Sequence, residues 1–122
     1  MILIVSGATG GHLYPAIAMA ETLKKAVFFI VSRNDPAKKI LNSHNFDFKV
    51  VKLSKLLINP IMWLRIISIV LKQKPRLLIA MGGGICIPFT IVCWLCGVPV
   101  LCFEQNAIPG RATKSIQFFA KK

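Results

Sequence analysis

Residues 2 to 23 constrain the fold most. The apolar run Ile2 to Val5 breaks at SGATGG, residues 6 to 11, and over 12 to 25 Leu13, Ile17, Ala20 and Leu23 then recur at helical spacing. A short apolar run bounded by glycine reads as a buried parallel strand. Apolar residues three and four apart read as the buried stripe of a helix. Strand, glycine turn and helix together open a βαβ unit, which commits the chain to a parallel sheet. The turn also brings backbone N–H groups and the positive end of a helix to one point, where a phosphate is best held. Gly7, Gly10 and Gly11 clear side chains from that approach, and Thr9 adds a hydroxyl donor. A tight strand-to-helix turn that uses glycine only for its backbone angles explains the same residues.

The rest of the chain repeats the alternation. Val27 to Val31 is expected as a second strand, followed by a loop at 32 to 35 and a short helix over 36 to 41. FDFKVVKL at 46 to 53 has strand composition. Pro60, at a tolerated first-turn position, opens a helix to about Gln73. LLIAM at 77 to 81 is a buried strand ending in Gly82, Gly83 and Gly84, followed by a helix at about 88 to 96 and a strand at 98 to 103. The expected class is α/β, a Rossmann-like parallel sheet with helices on both faces. The 122 residues suit one domain, 1 to 122, whose last residues start a new helix near Pro109.

Which phosphates the first turn would hold depends on its details. The dinucleotide pattern G-x-G-x-x-G fails at Thr9, and a Walker loop fails because no G-K-[ST] follows. The reductase variant G-x-x-G-x-x-G fits Gly7 and Gly10 but meets Leu13 at its third glycine. Arg33 keeps an NADP reading open as a partner for a 2′-phosphate. His12 separates this turn from those patterns. At a helix N-terminus the dipole disfavours imidazolium, so a neutral His12 can accept a proton from a sugar hydroxyl. Packing or capping of the turn is the alternative role for His12, and His44 is expected to be solvated.

Sixteen Lys and Arg against four acids give a formal charge of +12, which attracts polyanions. No nucleic-acid signature accompanies it, so nucleic acid is not an expected partner. LLINPIMWLRIISIVLKQKPR at 56 to 76 is apolar around most of a helix, with Lys52, Lys55, Arg65, Lys72, Lys74 and Arg76 in or beside it. Trp63 at headgroup level, with Arg65 and Lys72 against anionic lipid, describes an interfacial helix; Asn59, Pro60 and Arg65 argue against a span. A helix buried on the sheet with its charges at the rim is the competing account. Residues 85 to 103 are uncharged and long enough to span a bilayer, yet Pro88, Gly97 and Pro99 divide them into loop, helix, turn and strand. No secretory leader is read from the first residues. Cys86, Cys93, Cys96 and Cys102 lack a second pair at metal-ligand spacing and read as small apolar residues of a reducing compartment.

Three stretches in order carry a resemblance. GATGGHLYPAIAMAETL at 7 to 23, AMGGGICIP at 80 to 88 and GVPVLCFEQNAIPGRATK at 97 to 114 resemble the two glycine loops and the HEQN segment of the MurG family of bacterial glycosyltransferases, glycosyltransferase family 28. Ala8 stands where that family has glycine, Gly84 and Ile85 where it has an aromatic and a small residue, Phe103 where it has histidine, and Thr113 near its asparagine. The resemblance implies one half of a two-domain GT-B enzyme. The implied reaction carries N-acetylglucosamine from UDP-GlcNAc to undecaprenyl-diphospho-muramoyl-pentapeptide, lipid I to lipid II of peptidoglycan synthesis, with inversion. It implies His12 as base, Thr9, Gly10, Gly11 and Asn106 at the donor, Gly82, Gly83 and Gly84 at the acceptor diphosphate, and Glu104 and Gln105 shaping their loop. It further implies no cofactor or metal, a peripheral place on the cytoplasmic face of the inner membrane, and a C-terminal donor-binding domain or subunit as partner. Without that second half the geometry for transfer is incomplete. A non-catalytic lipid-diphosphate-binding or membrane-binding subunit of a split transferase, like a known eukaryotic pair, is the alternative.

Overall fold

The computed structural model describes residues 1–7, 10–23, 25–31, 35–51, 60–82 and 84–103, with backbone alone at 10–12 and 35–37. Five strands alternate with four helices: β1 (Ile2–Ser6), α1 (Gly10–Leu23), β2 (Val27–Val31), α2 (Asp35–Ser43), β3 (Asp47–Val50), α3 (Pro60–Gln73), β4 (Leu77–Ala80), α4 (Cys86–Leu95) and β5 (Val100–Cys102). All pairings are parallel and the strand order is β3-β2-β1-β4-β5. The order reverses between β1 and β4, the switch point at which such sheets place ligands.

Alternate residues of each strand supply two separate cores, because successive side chains point to opposite faces. Ile2, Ile4, Phe29, Val31 and Ile79 pack with Leu13, Ala16, Ile17 and Ala20 of α1 and Leu41 of α2. Leu3, Val5, Ile30, Leu78 and Ala80 pack with Met62, Ile66, Ile69 and Val70 of α3 and with Cys86, Phe89, Val92 and Cys93 of α4. Helices therefore cover both faces, and Leu3, Ile4 and Val5 are wholly buried. The stripe read at Leu13, Ile17, Ala20 and Leu23 is the one α1 uses, with Leu23 partly buried at its end.

Boundaries differ where glycine or proline was taken as a stop. The first helix was expected from 12, but Gly10 and Gly11 already form its first turn. Pro15, inside that helix, withholds one ladder hydrogen bond from the carbonyl of Gly11. α2 starts at Asp35 with Pro36 in its first turn, and α4 starts at Cys86 with Pro88 third, positions at which proline loses no ladder bond. α4 is closed two residues past its end by Gly97, φ +78°, where the N–H groups of Gly97 and Val98 donate to the carbonyls of Trp94 and Cys93. The strands at 46 to 53 and 98 to 103 are shorter than expected, at Asp47–Val50 and Val100–Cys102. Residues 52 and 53, the loop at 32 to 34 and the helix expected near Pro109 lie outside the described residues. No described helix is long and apolar enough to cross a membrane.

Candidate functional site

Both glycine turns leave the carboxyl edge of the sheet at the switch point. Gly7 follows β1, Gly82 lies two residues beyond β4, and the Gly7 N–H donates to the Gly82 carbonyl at 2.9 Å. Gly82 has φ +113°, a backbone region closed to most side chains, which explains why glycine stands there. Below the turns, the Met81 N–H donates to the Val5 carbonyl at 2.9 Å, continuing the ladder to the edge. The Ser6 hydroxyl, wholly buried, donates to the Gly7 carbonyl at 2.8 Å. The Cys86 thiol lies 3.3 Å from the Val5 carbonyl and 3.3 Å from the Gly82 carbonyl. One buried thiol therefore spans the two strands under the turns. Burial pushes its pKa up to about 12, so it remains a neutral donor.

α1 and α4 both begin at this edge, neither with an acidic residue in its first turn, and Ile85 supplies no side-chain cap to α4. Two helix starts aim their positive ends at one place. Such an arrangement holds a dianion without any cationic side chain. Gly82 is buried and Gly84 exposed, so the second turn presents the backbone of Gly84 outward. The Phe103 N–H donates to the Ala80 carbonyl at 2.9 Å, which brings Phe103 to the same edge. His12 is the third residue of α1, with its backbone in the first turn. The His12 side chain, Thr9, Gly83, Glu104, Gln105 and Asn106 lie outside the described residues. Among the described residues no group of three His, Cys, Asp or Glu could hold a metal ion.

A second feature covers the outer side of α3. Met62, Ile66, Ile69 and Val70 face the core, leaving Ile61, Leu64, Ile67 and Leu71 exposed beside the exposed cations Arg65 and Lys72. Trp63, expected at headgroup level, is half-buried against the core. Sequence reading missed Trp94 and Leu95, exposed at the end of α4 by 50% and 71%. A run apolar at nearly every position gives no sign of which residues the sheet leaves uncovered. It also missed Cys86 as a link between the turns, because the carbonyl of Val5 is 81 residues away. His44 is exposed, as expected, and its Nδ1 lies 2.9 Å from Glu21 Oε1, tying the chain just after α2 to α1.

Comparison with known proteins places this geometry in a family. Residues 2–122 match the profile of the glycosyltransferase family 28 N-terminal domain. Proteins of Mannheimia succiniciproducens and Blochmanniella floridana, each named UDP-N-acetylglucosamine--N-acetylmuramyl-(pentapeptide) pyrophosphoryl-undecaprenol N-acetylglucosamine transferase, are 31% identical to this chain over 99% of its length. The chain spans 38% of the length of each of these relatives. The crystal structure of MurG of Acinetobacter baumannii shares the fold, with a TM-score of 0.85 over 98% of this chain and 39% of that one, at 23% identity.

Proposed function

The chain belongs to glycosyltransferase family 28, and from that premise we propose that it is the acceptor-holding half of an inverting N-acetylglucosaminyltransferase of peptidoglycan synthesis. Its donor is UDP-GlcNAc and its acceptor undecaprenyl-diphospho-muramoyl-pentapeptide. The observation that carries the reading is the Gly7 to Gly82 hydrogen bond, which joins two glycine turns and two helix starts at the switch point. The acceptor diphosphate rests on the backbone of Gly82, Gly83 and Gly84 and on the start of α4. Thr9, Gly10, Gly11 and Asn106 meet the donor, and Glu104 and Gln105 shape their loop. Family membership leaves no support for the dinucleotide reductase alternative.

In the transfer the acceptor hydroxyl attacks the anomeric carbon of the donor sugar from the face opposite its diphosphate. A glycosidic bond forms as the bond to UDP breaks, and the configuration inverts. His12 takes the hydroxyl proton, and its place in the first turn of α1, where the helix dipole disfavours imidazolium, favours the neutral ring that can accept it. The helix starts hold the charge of the acceptor diphosphate in place. Residues 1 to 122 form one wall of the cleft, and a C-terminal donor-binding domain or separate subunit supplies the other. The exposed Ile61, Leu64 and Leu71, with Arg65, Lys72, Trp63 and Trp94, set the chain on the anionic cytoplasmic face of the inner membrane, where a lipid-linked acceptor resides.

The test is transfer of radiolabelled N-acetylglucosamine from UDP onto the lipid-linked acceptor, with the chain alone and with a donor-binding domain added. Transfer by the mixture is expected, and His12→Ala lowers it about a hundredfold or more while acceptor binding persists. Acceptor binding without transfer in any mixture supports the alternative of a non-catalytic subunit and removes His12 from its role.

A further inference from the structure

The opposite edge of the sheet carries a second feature that the transfer reaction does not use. At the amino-terminal ends of β1 and β4, Lys25 and Arg76 line a cleft of about 320 Å³ together with Met1, Ile2 and Leu77. β1 runs from this cleft to the glycine turns, so the two sites lie at opposite ends of the same strand. The two cations stand on fixed backbone. The Arg76 N–H donates to the Met1 carbonyl at 2.9 Å, and the Ile2 N–H donates to the Ala26 carbonyl at 2.9 Å. Each cation-bearing turn is thus fastened to β1. Among the described residues that line it none is acidic, and Glu21, the acid nearest to Lys25 in sequence, faces His44 instead.

We propose that Lys25 and Arg76 form a phosphate-binding pocket at the amino-terminal edge of the sheet, separate from the transfer site. Two cations lining one cleft, with no carboxylate among its described lining residues, favour a bound anion. A planar guanidinium takes two phosphate oxygens side by side, and a lysine ammonium adds a point charge. The apolar floor of Met1, Ile2 and Leu77 leaves room for a small group next to the phosphate. Helices between parallel strands run back toward this edge, so α3 and α4 end there; a groove of about 280 Å³ bounded by Leu71, Lys74, Cys96 and Val98 lies between those ends. A phosphate at Lys25 and Arg76 is accordingly either a free ion or the headgroup of a lipid against which those ends rest.

The experiment follows backbone amide resonances of the full chain during titration with inorganic phosphate at low ionic strength. Saturable shifts are expected at Ile2, Lys25, Arg76 and Leu77. Lys25→Gln/Arg76→Gln weakens them about tenfold or more, as expected for loss of charge-assisted hydrogen bonds, with the rest of its spectrum unchanged. Equal shifts in the variant, or shifts confined to Gly7, Gly82 and Gly84, overturn the proposal without touching the transferase reading. A second arm measures binding to phosphatidylglycerol vesicles against Lys39→Gln/Lys49→Gln, which removes two exposed cations elsewhere. When the first arm shows the pocket, a larger loss in the pocket variant assigns the phosphate to a lipid headgroup, and equal losses assign it to a free ion.

Discussion

Cys86 shows how one side chain can link two segments distant in sequence. Its thiol reaches the Val5 and Gly82 carbonyls at 3.3 Å, and burial raises its pKa from 9.0 to about 12; Cys93, also buried, is raised to about 12. A proton held more tightly in the folded state stabilises fully below about pH 9, and that contribution is lost as pH rises toward about 12. The denaturant midpoint of the wild type should therefore fall more steeply over that window than that of Cys86→Ala/Cys93→Ala. At neutral pH a thiol reagent should label the exposed Cys96 and leave Cys86 and Cys93 untouched until the chain unfolds. Gly82→Ala, forced into φ +113°, should cost roughly 1–3 kcal/mol in chemical denaturation and weaken diphosphate binding. At this scale legibility was uneven. Gly82 and His12 stand in local patterns that name a turn and a helix start. The partners of Cys86 and of His44 come from elsewhere in the chain, and spacing within a segment carries no trace of them.

The elements themselves were legible wherever the period was strong and the punctuation clear. α3 runs from Pro60 to Gln73 and β2 from Val27 to Val31, with the bounds expected from composition. What could not be read was the buried face of α3, since apolar residues surround the helix and only the sheet decides which of them it covers. The consequence is a pair of opposed outcomes on one helix. Ile66→Ala, from a wholly buried position, should lower stability by roughly 2–5 kcal/mol. Leu64→Glu/Leu71→Glu, at positions 67% and 58% exposed, should leave the thermal midpoint nearly unchanged. The same pair should weaken binding to anionic vesicles about tenfold or more, because each leucine moved into lipid contributes about 1.5 kcal/mol or more. Vesicle affinity unchanged by that pair would remove α3 from the membrane face.

Across the whole molecule, strand order converts local signals into a site. Two glycine turns 75 residues apart, Gly7 and Gly82, become hydrogen-bonded neighbours because β1 pairs with β4. Alternating strands and helices made the parallel sheet legible in outline, and the two glycine runs marked its functional edge. The pairing of β1 with β4 follows from packing helices on both faces, which no single segment specifies. The same topology puts the cationic cleft of Lys25 and Arg76 at the far edge of the sheet from the glycine turns. The central claim is that the paired turns hold the diphosphate of a lipid-linked acceptor. Its most direct test compares binding of the chain to anionic vesicles with and without lipid-linked muramoyl-pentapeptide, for the wild type and for Gly82→Ala. The wild type should bind acceptor-loaded vesicles about tenfold more tightly or better, and Gly82→Ala should lose most of that gain. Equal affinity for loaded and unloaded vesicles would contradict the claim.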